Sequence, residues 1–178
     1  MESLDILINN AGISLFDDLS DRAALERHLA VNLFGTYAVT QAFLPLLTRS
    51  RGAIVNNVSL MALAPFPLTP AYAISKAAAF NLTQSLRALL APRGVRVHAV
   101  LTGPTDTDMT RGFDIPKASP ESVARHLRRR GERRGGHLPQ PHVAVPGRQL
   151  AQRRGQGTRA PERSVRRSAR RGISKGRA

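Results

Sequence analysis

Three short apolar runs, separated by two longer helical patterns, most constrain the fold of this chain. The runs are "LDILINN", "GAIVNNVS" and "VRVHAVLTG". The first is rich in Ile and Leu, closes on Asn-Asn-Ala-Gly, and is typical of a strand buried on both faces in a parallel sheet. Alternation of strands and helices predicts an α/β domain, with right-handed crossovers between parallel strands.

The two helical patterns differ in composition. Residues 21–49 place apolar side chains at helical spacing, and "AYAISKAAAFNLTQSLRALLA" is rich in the strong helix formers Ala and Leu. The second pattern stops at "PRG", directly before the third predicted strand. The order is therefore strand, helix, strand, helix, strand.

The net charge of +15 is distributed very unevenly. Residues 1–125 hold 11 basic and 10 acidic side chains, whereas residues 126–178 hold 16 and 2. The second segment is rich in Arg, Gly, Pro, Gln and Ser and has no sustained apolar period, so it cannot bury enough surface to offset its ordering entropy. We predict a folded domain over 1–125 and a disordered Arg-rich tail over 126–178.

Composition also limits the chemistry and the compartment. The absence of cysteine excludes disulfides and thiolate metal sites, and no metal site is predicted. No apolar run approaches the roughly 20 residues that span a bilayer, and no signal peptide is evident. We therefore expect a cytoplasmic protein that does not insert into membranes.

One constellation of residues indicates proton-transfer chemistry. Tyr72 and Lys76 are four residues apart at the start of the Ala-rich helix, which puts both side chains on one face. A lysine ammonium beside a phenol favours the phenolate and is expected to lower the phenol pKa from about 10. Ser59 ends a strand at the carboxyl edge, where open α/β sheets bind ligands.

Each of these signals is weak when it stands alone. Tyr-x-x-x-Lys is a common spacing that also fits an ordinary surface pair, and an isolated serine carries little information. Their joint placement, after a buried strand and at the start of a helix, favours a general acid/base acting on a carbonyl or alcohol oxygen.

Five motifs in order resemble those of the classical short-chain dehydrogenases/reductases. They are "NNAG", "VNLFGTYAVTQAFLPLL", "IVNNVS", "YAISK" and "VRVHAVLTGPTDTDM", and they cover about residues 3–110. The resemblance implies part of a Rossmann-like, doubly wound parallel sheet. It also implies an NAD- or NADP-dependent oxidoreductase that acts on a small-molecule alcohol/ketone pair.

The resemblance further implies roles for individual residues. Tyr72 would exchange a proton with the substrate oxygen, Lys76 would hold the ribose and keep Tyr72 acidic, and Ser59 would hydrogen-bond the substrate oxygen. Asn32 would distort its helix and hold a water of the proton relay. The implied cofactor-binding residues are Asn9, Ala11, Gly12, Tyr72, Lys76, Gly103, Thr105 and Thr107. For the two asparagines of "NNAG", ordinary turn chemistry is the alternative.

The sequence departs from the family pattern in two places within its matched half. The family's first three strands and two helices, with their Gly-rich phosphate-binding turn, have no counterpart before "LDILINN". We therefore expect an incomplete copy that is inactive alone, with its choice between NAD and NADP unreadable. Thr102 also replaces the usual Pro of the family's Pro-Gly loop, for which we expect a modest effect.

The tail is the third departure. In several family members "SPESVAR" leads into a helix resembling "AIFDGVENGEEDIFPDPMS", whereas here "HLRRRGERRGGHLPQPHVA" follows Arg125. Starting one base into the codon of His126, the degenerate code permits the reading "IFDGVENGEEDIFPNPMS". Our hypothesis is that a shift of reading frame near Arg125 produced the tail.

Two other functions fit parts of the sequence. An Arg-rich disordered segment binds phosphates without sequence preference, which allows nonspecific binding to nucleic acid or anionic surfaces. However, residues 126–178 contain no Phe, Trp or Tyr on which bases could stack. A catalytically idle scaffold is the other alternative, since the resemblance implies a homo-oligomer packed through the helices at 32–47 and 72–90.

Overall fold

A computed structural model describes residues 2–132 and 142–144. Its centre is a sheet of four parallel strands in the order β1-β2-β3-β4. The strands are β1 (Ile6–Asn9), β2 (Ala53–Asn57), β3 (Arg96–Thr102) and β4 (His142–Ala144). The three strands predicted from the sequence are confirmed, and β4 adds a short fourth strand beside β3.

Four helices connect and cover these strands. They are α1 (Arg22–Leu29), α2 (Thr36–Ser50), α3 (Pro70–Leu90) and α4 (Pro120–Glu132). A π-helical segment, Ala30–Gly35, joins α1 to α2 without a break in the helical run. The predicted helix over 21–49 is thus present, with wider turns at its middle.

The two faces of the sheet are both buried, because successive residues of β2 point to opposite sides. Ile54 packs with Leu47 of α2 and Leu86 of α3, while Val55 packs with Val123 and Leu127 of α4. Helices therefore cover both faces, which confirms the predicted doubly wound α/β class and explains why β2 is apolar without alternation.

The turn from α2 into β2 requires glycine for a steric reason. A Cβ on Gly52 would lie 2.7 Å from the backbone oxygens of both Leu4 and Asp5. The Ser50 hydroxyl also donates to the Leu4 carbonyl at 2.6 Å, so the end of α2 is held tightly against the entry to β1. These contacts fix the turn between α2 and β2 against the start of β1, next to which β2 pairs.

The boundary of the folded part differs from the prediction. Helix α4 continues past Arg125 to Glu132, so residues 126–132 are helical rather than disordered. Val123, Leu127 and Gly131 follow at four-residue intervals and are buried, and a Cβ on Gly131 would lie 2.6 Å from Cγ2 of Ile6. The arginines around this stripe obscured its period in the sequence. The predicted disorder of residues 133–141 and 145–178 lies outside the described residues.

The helical run Arg22–Ser50 is more apolar than the sequence analysis allowed. It has 29 residues, and an 18-residue stretch of it has a mean hydropathy of 1.3, which by length and composition alone would suffice to cross a membrane. Its inner face, however, carries the buried polar residues His28, Asn32 and Thr40. All three are hydrogen-bonded to other parts of the domain, as expected of a helix packed on a sheet.

Candidate active site

Ser59 lies just beyond the carboxyl end of β2 and is nearly buried. Its hydroxyl oxygen accepts a hydrogen bond from the Met61 backbone N–H at 3.1 Å, which caps the short helix Leu60–Ala62. This bond fixes the side-chain rotamer. The remaining hydrogen-bonding capacity of the hydroxyl is directed toward Tyr72, whose pKa it influences.

Tyr72 and Lys76 occupy one face of the first turns of α3. Both are buried, with 9% of Tyr72 and 5% of Lys76 exposed. The Lys76 Nζ lies 5.6 Å from the centre of the Tyr72 ring and donates to the backbone carbonyl of Asn57 at 3.1 Å. The predicted constellation of Ser59, Tyr72 and Lys76 is therefore assembled at the carboxyl edge of the sheet.

The ionisation of the two side chains differs from the expectation. Burial raises the pKa of the Tyr72 phenol above its ordinary value of 10.0, and the hydrogen bond with Ser59 opposes this rise only in part. Burial also lowers the pKa of Lys76 from 10.5 to about 8. The expectation that Lys76 lowers the Tyr72 pKa is wrong here, because loss of hydration dominates. Tyr72 is a neutral acid at pH 7.

Asn32 lies inside the π-helical segment and is almost fully buried. Its side chain accepts from the Ile13 N–H at 2.9 Å and donates to the Ile13 carbonyl at 3.0 Å. It also donates to the Ser75 hydroxyl at 2.8 Å, and Ser75 donates to the Tyr72 carbonyl at 2.7 Å. Asn32 thus joins the segment after β1 to α3, and the helix is distorted where the resemblance implied.

Gly12 also lies close to the polar residues of the site. A Cβ at this position would lie 3.1 Å from Asn32 Oδ1 and 3.4 Å from Lys76 Nζ. A larger residue would push against both groups. The absence of a side chain therefore lets the segment after β1 pack close to Asn32 and Lys76.

Asn9 plays a structural part that the resemblance did not indicate. Its amide donates to Thr40 Oγ1 at 3.1 Å and to Asn56 Oδ1 at 2.8 Å, and Asn56 in turn donates to Thr83 Oγ1 at 2.9 Å. This chain of bonds links β1, β2, α2 and α3 beneath the site. Asn10 forms a separate bond, accepting from the Asn57 side chain at 2.8 Å.

The other predicted cofactor residues lie on the loop after β3, at the same sheet edge. The Thr105 hydroxyl donates to the Gly103 carbonyl at 3.3 Å, and the Thr107 hydroxyl donates to the Thr105 carbonyl at 3.3 Å. These bonds hold the loop in a compact form. Thr102, which replaces a proline of the family pattern, donates to Asn57 Oδ1 at 3.0 Å and so supports the residue that binds Lys76.

Sequence reasoning missed three residues that organise the site. Asn57 was assigned only to a strand, although two adjacent asparagines within an apolar run are a signal for a buried polar role. Ser75 lies between Tyr72 and Lys76 and could have been found only from the fold. His28 is fully buried, and its position four residues before Asn32 places it on the same helix face.

His28 holds a defined tautomer. The Leu15 N–H donates to His28 Nε2 at 3.0 Å, so Nε2 carries no proton, and Nδ1 donates to the Ala24 carbonyl at 2.7 Å. The ring also meets the edge of Tyr72, with 6.4 Å between ring centres. His28 therefore packs beside Tyr72 while it fixes the segment after β1.

A cavity of about 320 Å³ lies beside β1. Its lining is mostly apolar and includes two of the predicted cofactor residues; the lining residues are Asn9, Ala11, Ala30, Val31, Gly35, Thr36 and Val39. Among the described residues, no group of three or more His, Asp or Glu side chains is placed to hold a metal ion.

Apolar side chains form a rim on the loops that follow β1, β2 and β3. The rings of Phe16 and Phe113 lie 5.8 Å apart and bridge the first and third of these loops. The exposed members of the rim are Leu15, Phe16, Leu19, Leu63, Phe66, Leu68, Met109 and Ile115. Loops at this edge surround the space above the carboxyl ends of the strands, so the rim makes the mouth of the site apolar.

The fold defines a Rossmann-like parallel α/β domain with a buried cluster of Ser59, Tyr72 and Lys76 at its carboxyl edge. The family described as "short chain dehydrogenase" matches residues 1–117. The chain belongs to the short-chain dehydrogenase family.

Individual relatives agree with this assignment. The chain is 42% identical over 129 residues to 2-(S)-hydroxypropyl-CoM dehydrogenase 3 of Xanthobacter autotrophicus, covering 70% of this chain and 51% of that protein. It is 35% identical over 124 residues to estradiol 17-beta-dehydrogenase 2 of Mus musculus, covering 68% and 32%. The chain thus spans about half, or less, of the length of these relatives.

A solved structure resembles the fold closely. A short-chain dehydrogenase from Burkholderia cenocepacia, solved in complex with NADP, superposes with a TM-score of 0.72 at 36% identity. The match covers 79% of this chain and 60% of that one.

Proposed function

We propose that this chain carries the proton-transfer site of an NAD(P)-dependent oxidoreductase that interconverts an alcohol and a carbonyl compound. The burial of Ser59, Tyr72 and Lys76 together at the carboxyl edge of the sheet is the observation on which this proposal rests. A surface Tyr-Lys pair, the simpler alternative, would be solvated on both side chains.

The arrangement favours proton donation by Tyr72. The phenol is neutral at pH 7, so in the reductive direction it gives its proton to the carbonyl oxygen while the Ser59 hydroxyl hydrogen-bonds the same oxygen. The Lys76 ammonium stabilises the phenolate that remains. A nicotinamide dinucleotide, when bound, supplies or accepts the hydride at the carbonyl carbon. Oxidation of the alcohol uses the same groups in reverse.

The dinucleotide would lie along the carboxyl edge. Gly12 lies beside the Lys76 ammonium, which would hold the ribose hydroxyls, and Asn9 and Ala11 line the cavity beside β1. Gly103, Thr105 and Thr107 would approach from the loop after β3. The similar structure from Burkholderia cenocepacia contains NADP, which supports this class of cofactor without deciding between NAD and NADP.

The substrate would be a predominantly apolar ketone or secondary alcohol. The rim of exposed apolar side chains around the mouth, including the Phe16–Phe113 pair, supports this choice. Burying such side chains against an apolar substrate contributes roughly 25 cal/mol per Å² of surface removed from water. A strongly charged substrate would gain nothing from this rim.

The intact protein would be a cytoplasmic homo-oligomer. The outer faces of α2 and α3 present exposed apolar side chains that a second copy could cover. They are Tyr37 on α2, Phe34 on the π-helical segment just before it, and Ile74 and Leu89 on α3.

A chimera tests the function. The part of the Xanthobacter relative that precedes the matched region would be fused to this chain, and oxidation of NADPH and NADH would be followed with a panel of apolar ketones. We expect turnover by the chimera and none by the chain alone. Tyr72→Phe should lower kcat by about 10²-fold or more, as loss of a general acid does.

The control is Tyr37→Phe, which removes an exposed tyrosine of α2 and should leave kcat unchanged. A folded chimera that binds NADPH but retains its turnover after Tyr72→Phe would refute the assigned role. Dinucleotide binding by the unmodified 178-residue chain would refute the expectation that it is inactive alone.

A further inference from the structure

Helix α3, which carries Tyr72 and Lys76, lacks a cap of its own. Its N-cap residue Thr69 makes no side-chain hydrogen bond to the first turn. The first helical residue, Pro70, has no N–H, so Ala71 carries the first backbone donor that needs a partner. Ala71 directly precedes Tyr72, so the partner of its N–H bears on the placement of the phenol.

That partner comes from a distant segment. The Ala71 N–H donates to the Asp17 carboxylate, with 3.2 Å to Oδ1 and 3.3 Å to Oδ2. A carboxylate at this place also complements the positive end of the helix dipole. The Asp17 backbone N–H also donates to the Leu68 carbonyl at 3.3 Å, so both the side chain and the backbone of Asp17 bind the start of α3.

The segment that carries Asp17 is itself held by further hydrogen bonds. The Leu19 N–H donates to Asp17 Oδ1 at 3.3 Å, which sets the direction of the carboxylate. Leu19 adopts φ +65°, a left-handed conformation that a bulky residue rarely takes without support. Upstream, the side chains of His28 and Asn32 bind the backbone of Leu15 and Ile13.

We propose that Asp17 is a positioning residue that caps α3 from the loop after β1 and thereby fixes the first turn that places Tyr72. The proposal rests on the proposed function, because it assigns Asp17 a role in positioning a residue of that active site. The carboxylate makes no contact with Ser59 or Lys76 among the described bonds, so it acts through the helix.

Two measurements on the full chain test this without any cofactor. The first is amide hydrogen exchange at Ala71 by NMR. The second is the titration of the Tyr72 phenol, followed by ultraviolet absorbance in a Tyr37→Phe background. The sequence has two tyrosines, so in this background the signal comes from Tyr72. The groups that face this phenol are the Lys76 ammonium, the Ser59 hydroxyl and the His28 ring.

Asp17→Ala should raise the exchange rate of the Ala71 amide about tenfold, as expected for loss of a helix cap. The loosened turn should also admit water to Tyr72, so its titration midpoint should fall toward 10. The matched control is Asp18→Ala, which removes the neighbouring exposed carboxylate that binds the backbone N–H and the side chain of Ser20. It should leave both readings at the parent values.

Asp17→Asn is the conservative variant. Its amide oxygen still accepts from Ala71, but the bond loses its charge assistance, so exchange should rise only about threefold. This variant decides the matter if Asp17→Ala does not fold. Parent-like exchange at Ala71 and a parent-like Tyr72 titration in the folded Asp17 variants would overturn the proposal.

The outcome can be separated from that of the proposed function. In an active chimera, Asp17→Ala should lower kcat about tenfold with little change in KM, because the helix turn rather than the binding surface is altered. If the exchange and titration change as expected but the chimera has no turnover, the function is wrong and the capping role stands. If the chimera turns over but the exchange and the titration stay at the parent values, the proposed function stands and the capping role of Asp17 is wrong.

Discussion

Lys76 and Tyr72 lie one turn apart on α3, with the Lys76 ammonium 5.6 Å from the centre of the Tyr72 ring. Both side chains are buried, and burial favours the neutral form of each. The pKa of Tyr72 therefore rises while that of Lys76 falls to about 8. The pair is set up for proton donation by a neutral phenol, with a cation ready to stabilise the product.

Replacing Lys76 should change how stability depends on pH. The folded-state pKa of about 8 lies below the unfolded value of 10.5, so burial of the charge destabilises the fold at pH 7. Between these values the unfolded chain binds more protons, and the stability of the parent rises with pH. Relative to Lys76→Met, the parent should gain about 2 to 3 kcal/mol from pH 7 to pH 10, measured by urea unfolding.

The control for this series is Lys117→Met, which removes a lysine that pairs with Asp106 on the loop after β3. A difference between parent and Lys76→Met that stays constant over the same pH range would contradict the burial of a charged Lys76.

Ser59→Ala should raise the titration midpoint of Tyr72. The Ser59 hydroxyl lowers the phenol pKa through its hydrogen bond, so its removal leaves the effect of burial unopposed. We expect the midpoint to rise in the Tyr37→Phe background, read by absorbance. Ser20→Ala, at an exposed position, should leave the Tyr72 midpoint unchanged. A fall of the midpoint in Ser59→Ala would contradict the hydrogen bond between Ser59 and Tyr72.

Leu127→Ala tests whether the residues after Arg125 belong to the core. Leu127 is buried with Val55, Val100 and Val123 between α4 and the sheet. Its truncation should lower the free energy of unfolding by about 2 to 4 kcal/mol. Arg129→Ala, an exposed change on the same helix, should stay within about 0.5 kcal/mol. Equal small effects of both would mean that α4 does not pack there.

Asn56→Ala should weaken the buried polar chain beneath the site. Its amide accepts from Asn9 and donates to Thr83, and the loss leaves both partners only partly satisfied. We expect a cost of about 2 to 3 kcal/mol in thermal or urea unfolding. Asn10→Ala removes one exposed bond to Asn57 and should cost less than about 1 kcal/mol. Comparable costs for the two would count against the buried network.

The sequence allowed the alternation of strands and helices, and the placement of Tyr72 and Lys76 on one helix face, to be predicted because both depend on local patterns. The apolar runs became β1, β2 and β3, and the Tyr-x-x-x-Lys spacing placed two side chains on one face of α3. It did not reveal the stripe of Val123, Leu127 and Gly131, because a high density of arginine conceals a period of four residues.

By itself, the sequence determined the elements and the chemical groups available to the site, since helix and strand periods act over a few residues. Only the tertiary structure decided how those groups ionise, because the pKa values of Tyr72 and Lys76 follow from burial by residues far apart in the chain. The tertiary structure also brings Asp17 to Ala71, which is 54 residues away in the chain, and Asn32 to Ser75. Such contacts form only when the helices close over the sheet, so no local pattern encodes them.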